Sequence, residues 1–291
     1  MIWSATLAPP RTHPGPTPDP PRTHPGPAPT YPGPTPLMRP LPLLLLLAGC
    51  VTARATTGPI TTDRPDYTES ASVVARPQVE AGVTRTHADR ATDLSIGELL
   101  LRVPLAARVE GRVNVGSLGM ASAAGARTHG FEDPELQAKI ALGAGGEGRS
   151  RLVPTTALIV GSTLPLGTNG FGAHVAQPGA KLVGEWELSE RVGLASNLNY
   201  AWASDGDRRF GQASVTASLG TGWTDRLGSF LEYYDFLPAA PGAGAAHYGD
   251  LGATYQLSPD FQLDARVGTR LAARRGEAAE RFVGLGVARR W

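Results

Sequence analysis

The side chains able to do chemistry fall on every second position of long alternating stretches. Glu98 and Arg102 alternate with Leu99, Leu101 and Val103; Glu110 and Arg112 with Val109, Gly111 and Val113; Lys139 with Ala138 and Ile140. Lys181, Glu185 and Glu187 alternate with Leu182, Trp186 and Leu188, and Asp264 and Arg266 with Leu263, Ala265 and Val267. Glu80, Glu232 and Asp250 occupy equivalent places beside Val79, Leu231 and Leu251. A period of two puts the two sets on opposite faces of a strand, one apolar and one charged. Carboxylates and bases gathered on one inward face can select solutes by size and sign, as rings of charge do in channels. Eight acids against five bases on that face would favour cations if the space they line is open. The same charges could instead neutralise one another and fill a narrow interior, since buried charge persists when paired or wet.

Bond-making chemistry finds less support. His13 and His24 sit in a proline-rich leader, and His87, His129, His174 and His247 fall in or beside predicted loops, none paired at metal-ligand spacing. A barrel hydrolase acting on lipid would need Ser, His and a polar orienter on its wall. Only His247 is placed for that role, and no nucleophile motif accompanies it. No glycine-rich phosphate loop stands out, and a single cysteine, Cys50, excludes an internal disulfide and a cysteine-built metal site. No cofactor, metal or catalytic residue is assigned. With 27 Lys+Arg against 26 Asp+Glu, the chain has no concentrated basic face for nucleic acid.

The elements that must hold the charged positions are strands. From residue 78 to 291 the alternation recurs in twelve stretches, predicting an all-β, antiparallel transmembrane β-barrel. No stretch supplies the roughly 20 apolar residues of a spanning helix. Tight or glycine-rich connections are expected around 104–108, 143–150, 189–191, 224–226 and 258–260, and longer ones at 87–93, 117–130, 168–178, 203–209, 237–247 and 270–280. Short and long connections alternating predicts periplasmic turns and outer loops, with both chain ends in the periplasm. Trp186, Trp223, Tyr255 and Trp291 fall at one set of strand ends and Tyr200, Trp202, Tyr233, Tyr234 and Tyr248 at the other. Such rings would sit at the two lipid–water boundaries.

Ahead of the strands lie three distinct stretches. Residues 1–37 hold 13 of the 26 prolines and repeat Arg11-Thr12-His13-Pro14-Gly15-Pro16 as Arg22-Thr23-His24-Pro25-Gly26-Pro27, a composition that cannot pack a core. They read as sequence upstream of a start at Met38. Residues 38–49 have the positive, apolar and small-residue regions of a signal peptide, and Leu47-Ala48-Gly49-Cys50 resembles the lipobox of bacterial lipoproteins. That resemblance implies cleavage before Cys50 and lipid on its thiol. Residues 50–77 are a polar lead-in containing Thr62-Asp63-Arg64-Pro65-Asp66-Tyr67-Thr68-Glu69-Ser70. One reading makes this segment a plug that folds into the barrel mouth, with Asp63, Arg64 and Asp66 as its candidate charges and Arg64 and Asp66 as the pairing groups. The other makes it a solvated linker.

That Asp-Arg-Pro-Asp segment, Glu98-Leu99-Leu100-Leu101-Arg102, Phe210-Gly211-Gln212-Ala213, the run Thr224 to Tyr234, Leu263 to Gly268 and Phe282 to Gly286 together resemble one family. It is the group of outer-membrane transporters of the MetA-pathway of phenol degradation, and the likeness spans about Ile60 to Trp291. The resemblance implies passage of small, aromatic or hydrophobic, solutes across the outer membrane. Expected partners are outer-membrane lipid, small-molecule solutes and the barrel assembly machinery, which would meet the last strand through Trp291. A closed barrel that binds through its outer loops and an outer-membrane hydrolase are the alternatives. Cys50 carries the first test. Metabolic labelling with a palmitate analogue should tag the exported chain, and Cys50→Ala should abolish the tag; equal labelling of both would contradict the lipobox.

Overall fold

The computed structural model describes residues 58–89, 91–145, 150–272 and 280–291. The proline-rich leader, the signal peptide and Cys50 lie outside the described residues. The strands are β1 (Gln78–Ala88), β2 (Ala91–Ala106), β3 (Val109–Asn114), β4 (Leu118–Ala123), β5 (Ala126–Phe131), β6 (Glu135–Gly143) and β7 (Thr155–Thr163). They continue as β8 (Gln177–Glu187), β9 (Val192–Ser204), β10 (Arg209–Gly222), β11 (Leu227–Phe236), β12 (Ala246–Ser258), β13 (Phe261–Ala272) and β14 (Glu280–Arg290). Each pairs antiparallel with its neighbours, and β1 pairs with both β2 and β14, which closes the sheet. The lower part of β2 pairs with β3 and its upper part with β4. β3 and β4 are therefore one stave, broken at 115–117, and β6 and β5 form the next, broken at 132–134. Fourteen segments thus make a closed barrel of twelve staves among the described residues. Closure removes the sheet edges that lipid cannot satisfy.

The alternation resolves into wall faces as a lipid-embedded barrel requires. Leu231, Leu251 and Val267 are register partners on β11, β12 and β13 and are 61%, 56% and 50% exposed. Between them Glu232, Asp250 and Arg266 point inward and are buried. The apolar residues face out and the charged ones in, the inverse of a soluble barrel.

Three expectations about the ends of the strands need correction. Residues 117–130 are not a loop: they continue the wall as β4 and β5, joined by Ala124-Gly125. Residues 89–90 alone separate β1 from β2, whereas 144–154 separate β6 from β7, so short and long connections do not alternate strictly. Tyr234 and Tyr248 do not join the outer ring of aromatics. Tyr234 shares the parity of Glu232, and Tyr248 that of Asp250, so both turn into the lumen, where their rings stack. Trp223, Tyr255, Trp291, Tyr200, Trp202 and Tyr233 do point outward at strand ends.

A charge on the lipid face of a β strand costs about 2–4 kcal/mol at the bilayer midplane. Leu251→Arg should therefore lower the folding free energy in lipid vesicles by that amount, as read by denaturant titration. No change would place Leu251 away from lipid.

Candidate functional site in the barrel lumen

The lead-in threads the lumen. It starts at the end of the barrel where the carboxyl terminus lies: the Ile60 amide donates to the Pro259 carbonyl at 2.8 Å, and Arg290 to the Gly58 carbonyl at 2.7 Å. It climbs inside to Tyr67 and returns to the same end, where the Trp291 amide donates to the Pro77 carbonyl. Ile60, Asp63, Arg64, Tyr67, Thr68, Glu69, Ala71, Val73 and Val74 are all buried along this path. A segment with so few apolar residues can enter an interior only if the wall satisfies its polar groups.

The inward charges do this. Asp63 Oδ2 accepts from Arg112 and, at 2.7 Å, from Lys139 Nζ, with Arg102 at 3.3 Å. Its other oxygen accepts from the Ser70 amide and hydroxyl, tying the two limbs of the plug together. Glu69 pairs with Arg112 and, at 2.6 Å, with Lys181. Arg64 pairs with Glu98 and, at 3.4 Å, with Asp264. Wall carboxylates also receive plug amides: Glu80 from Asp63 and Arg64, Glu110 from Val74, Glu185 from Ala71, and Glu232 from Tyr67 and Thr68. Within the wall, Arg102 bridges Glu80 at 3.0 Å and Glu110 at 2.8 Å.

Local backbone geometry serves these pairs. Two residues of β2, Glu98 and Leu99, oppose the single Ala81 of β1, and Gly97 and Glu98 both have positive φ. This β-bulge re-aims the strand and leaves Glu98 beside Arg64. Gly82 faces the same guanidinium, and a Cβ there would overlap it. Burial alone would push the Asp63 carboxyl up. The positive charges of Arg102, Lys139 and Arg112 outweigh that and hold it well below the usual aspartate range.

The tip of the plug is aromatic. The Tyr67 ring stacks on Tyr234 at 4.8 Å, Tyr234 on Tyr248 at 5.0 Å, and Phe236 meets all three edge-on. Beyond the tip lies a cavity of about 440 Å³, lined in part by these rings, Phe171 and Phe282. Phe171 belongs to the connection 164–176, which Asp133 holds by accepting from the Gly167 and Ala173 amides.

The sequence matches the family described as "Putative MetA-pathway of phenol degradation" over residues 62–288. The chain belongs to this family. Its match begins inside the lead-in and runs into the last strand. Among solved structures the fold is similar to the COG4313 outer membrane channel from Pseudomonas putida F1, with TM-score 0.61 and 15% identity over 79% of this chain and 100% of that one. It is also similar to the NanC porin, with TM-score 0.51 and 9% identity over 73% of this chain and 100% of that one. The KdgM porin in complex with disordered oligogalacturonate gives TM-score 0.50 and 9% identity over 73% and 99%. At these identities the likeness concerns the fold. No curated protein sequence matches the chain.

Within this family member the structure gathers the sequence-selected charges unevenly. Glu80, Arg102, Glu110, Arg112, Lys139, Lys181, Glu185 and Glu232 meet the plug or its immediate partners. Asp264 and Glu98 reach it through Arg64, while Arg266 and Asp250 face each other at 3.9 Å farther along the lumen. Glu187, at the end of β8, is exposed and outside the network. Asp66 does not act as a pairing group. Among the described residues no cation meets it, and burial raises its carboxyl to about 8 against a hydrogen bond from Ser218, with Asp250 adding to the rise. Glu69 takes the role expected of it. His247 meets the Tyr233 hydroxyl at 2.8 Å, which in turn donates to Asp235, so its partner is a tyrosine and not a serine.

Asp63 generates the second pair of outcomes. Its docked form is held below its solution value of about 4, so it contributes to docking above that pH and loses the contribution as pH falls toward the docked value. Asp63→Asn removes the charge at every pH and leaves buried cations short of a partner, a change that costs about 3–5 kcal/mol when it breaks a buried pair. Hydrogen exchange of residues 60–77 at pH 7 should be slow in the wild type and much faster in Asp63→Asn. Equal protection would contradict the network.

Proposed function

We propose that this protein is a plugged outer-membrane channel for small solutes, closed on its periplasmic side by its own lead-in. One observation carries the reading: residues 60–77 occupy the lumen and use the inward charges as their docking partners. A wall built only to be filled could use apolar side chains, which pack more cheaply than ion pairs. Charged walls remain compatible with water once the plug moves. The outer-membrane location is supported by the lipid-facing exterior and by family membership. Lipid on Cys50 would tether the lead-in beside the barrel end where both described termini lie, and Trp291, 56% exposed at the end of the last strand, is the group offered to the assembly machinery. No enzymatic activity is proposed.

The position of the plug also changes what selectivity to expect. Six inward acids, Glu80, Glu98, Glu110, Glu185, Glu232 and Asp264, are paired with or hydrogen-bonded to the docked segment, so their charge faces solutes only when the segment leaves. Removing residues 51–70 should convert a closed protein into one with discrete conductance steps and mild cation preference in a planar bilayer. Deletion and full-length proteins that are equally silent would favour the closed, surface-binding barrel; equal conductance in both would mean that the lead-in is no plug.

A further inference from the structure

The lipid-facing side of the barrel changes character around its circumference. At the end opposite the termini, β9 and β11 turn Tyr200, Trp202 and Tyr233 outward, rings suited to a lipid–water boundary. On β14, β1, β2, β4 and β5 the outward groups at that end are basic or hydroxylic instead. One register row runs Arg281, His87, Thr92, Ser122 and Arg127 across these five strands. Each is the second residue from the outer end of its strand. Arg85 and His129 lie on the same face, two residues farther from the ends of β1 and β5.

Among the described residues no carboxylate pairs with Arg85, Arg127 or Arg281. The acids of the same strand ends, Asp93 and Glu280, line the lumen instead, and Asp89 sits in the turn beyond the row. A guanidinium at a lipid boundary calls for an anion, and its planar fork matches phosphate with two parallel hydrogen bonds. Basic residues gathered beside a membrane surface attract anionic lipid. The terminal arginines of the row are four interstrand spacings apart, roughly 19 Å, a span for several phosphates and not for a single ion. Beneath the row the same side of the wall is dished. Ala81, Val83, Ala265, Leu285 and Val287 line an open apolar groove of about 710 Å³, and Val83 is two residues from Arg85. Anion-seeking groups thus stand above a surface that takes a hydrocarbon chain. We propose that this face binds a phosphorylated glycolipid of the outer leaflet, its phosphates on Arg85, Arg127 and Arg281 and a chain in the groove. The inference rests on the outer-membrane reading above and is independent of whether the plug moves.

The test is native mass spectrometry of the refolded protein in neutral detergent, titrated with lipid A, dephosphorylated lipid A or inorganic phosphate. Lipid A should bind, and its dephosphorylated form should bind far more weakly. Arg85→Gln with Arg281→Gln should weaken lipid A binding roughly thirtyfold, about fivefold for each basic residue held near an anionic lipid. Arg127→Gln, on a separate hairpin, should lose about fivefold alone and keeps the comparison if the double variant fails to refold. Arg289→Gln, an exposed arginine at the opposite rim, should bind as the wild type does. The inference is overturned if both forms of lipid A bind alike, or if Arg289→Gln loses as much as the outer variants. Displacement of lipid A by millimolar inorganic phosphate would mean a free-phosphate site and also contradict it. Insertion of the wild type into zwitterionic vesicles, read as protease resistance of the wall, tests the membrane reading separately. Insertion without preference for lipid A leaves that reading standing and sinks the glycolipid site; failure to insert sinks both.

Discussion

The convergence of three wall cations on one plug carboxylate is the interaction on which the structure depends. Arg102, Arg112 and Lys139 all lie within ion-pair distance of Asp63, and each is buried. Charges so placed are expensive unless paired, because the interior cannot replace the lost hydration. The plug needs the cations to enter, and the cations need the plug to be dry. Glu80 and Glu110 then orient Arg102, and Glu69 draws Arg112 and Lys181 to the other limb. Wall and plug are thus one electrostatic unit with a seam through it.

The seam has two grades of attachment. Near the termini the plug is fixed by charge and by wall carboxylates receiving its amides. Toward the cavity it is fixed by rings and by one carboxylate, Glu232. Ion pairs in a dry site are costly to break, whereas aromatic contacts are individually modest. The connection 164–176, pinned by Asp133 and carrying Phe171 to the cavity wall, narrows the space above the same rings.

Much of the wall was legible because a period of two is a strong signal. The parity that put Glu232 inside also put Tyr234 and Phe236 there; assigning Tyr234 to the lipid boundary followed its place at a strand end and overlooked its parity. The twelve staves followed from alternation, yet the outer connection at 117–130 did not, because its residues continue β4 and β5 on a short hairpin that polar, glycine-containing sequence does not distinguish from a loop. The plug was legible as a charged, proline-bearing segment before the first strand. Which of its acids would be paired was not, because that depends on how the chain turns inside the lumen. Asp63 and Glu69 face the cations of β3, β6 and β8 across the barrel, while Asp66 faces Ser218 and other acids. No spacing along the chain encodes those distances. Nothing in the sequence announced the rings around Tyr67 either, since they come from strands separated from residue 67 by more than a hundred positions.

The central claim is that the lead-in sits inside the barrel, and a cross-link tests it most directly. Thr68 Oγ1 and Thr216 Oγ1 lie 2.8 Å apart, so Thr68→Cys with Thr216→Cys, in a Cys50→Ala chain, should form a disulfide on mild oxidation of the refolded protein. Asn199→Cys with Ser214→Cys, whose side-chain polar atoms are 3.3 Å apart within the wall, serves as the reference pair. Cross-linking of both pairs to similar extents is the expected result. A reference pair that closes while the plug pair remains reduced would put residue 68 outside the lumen and contradict the account.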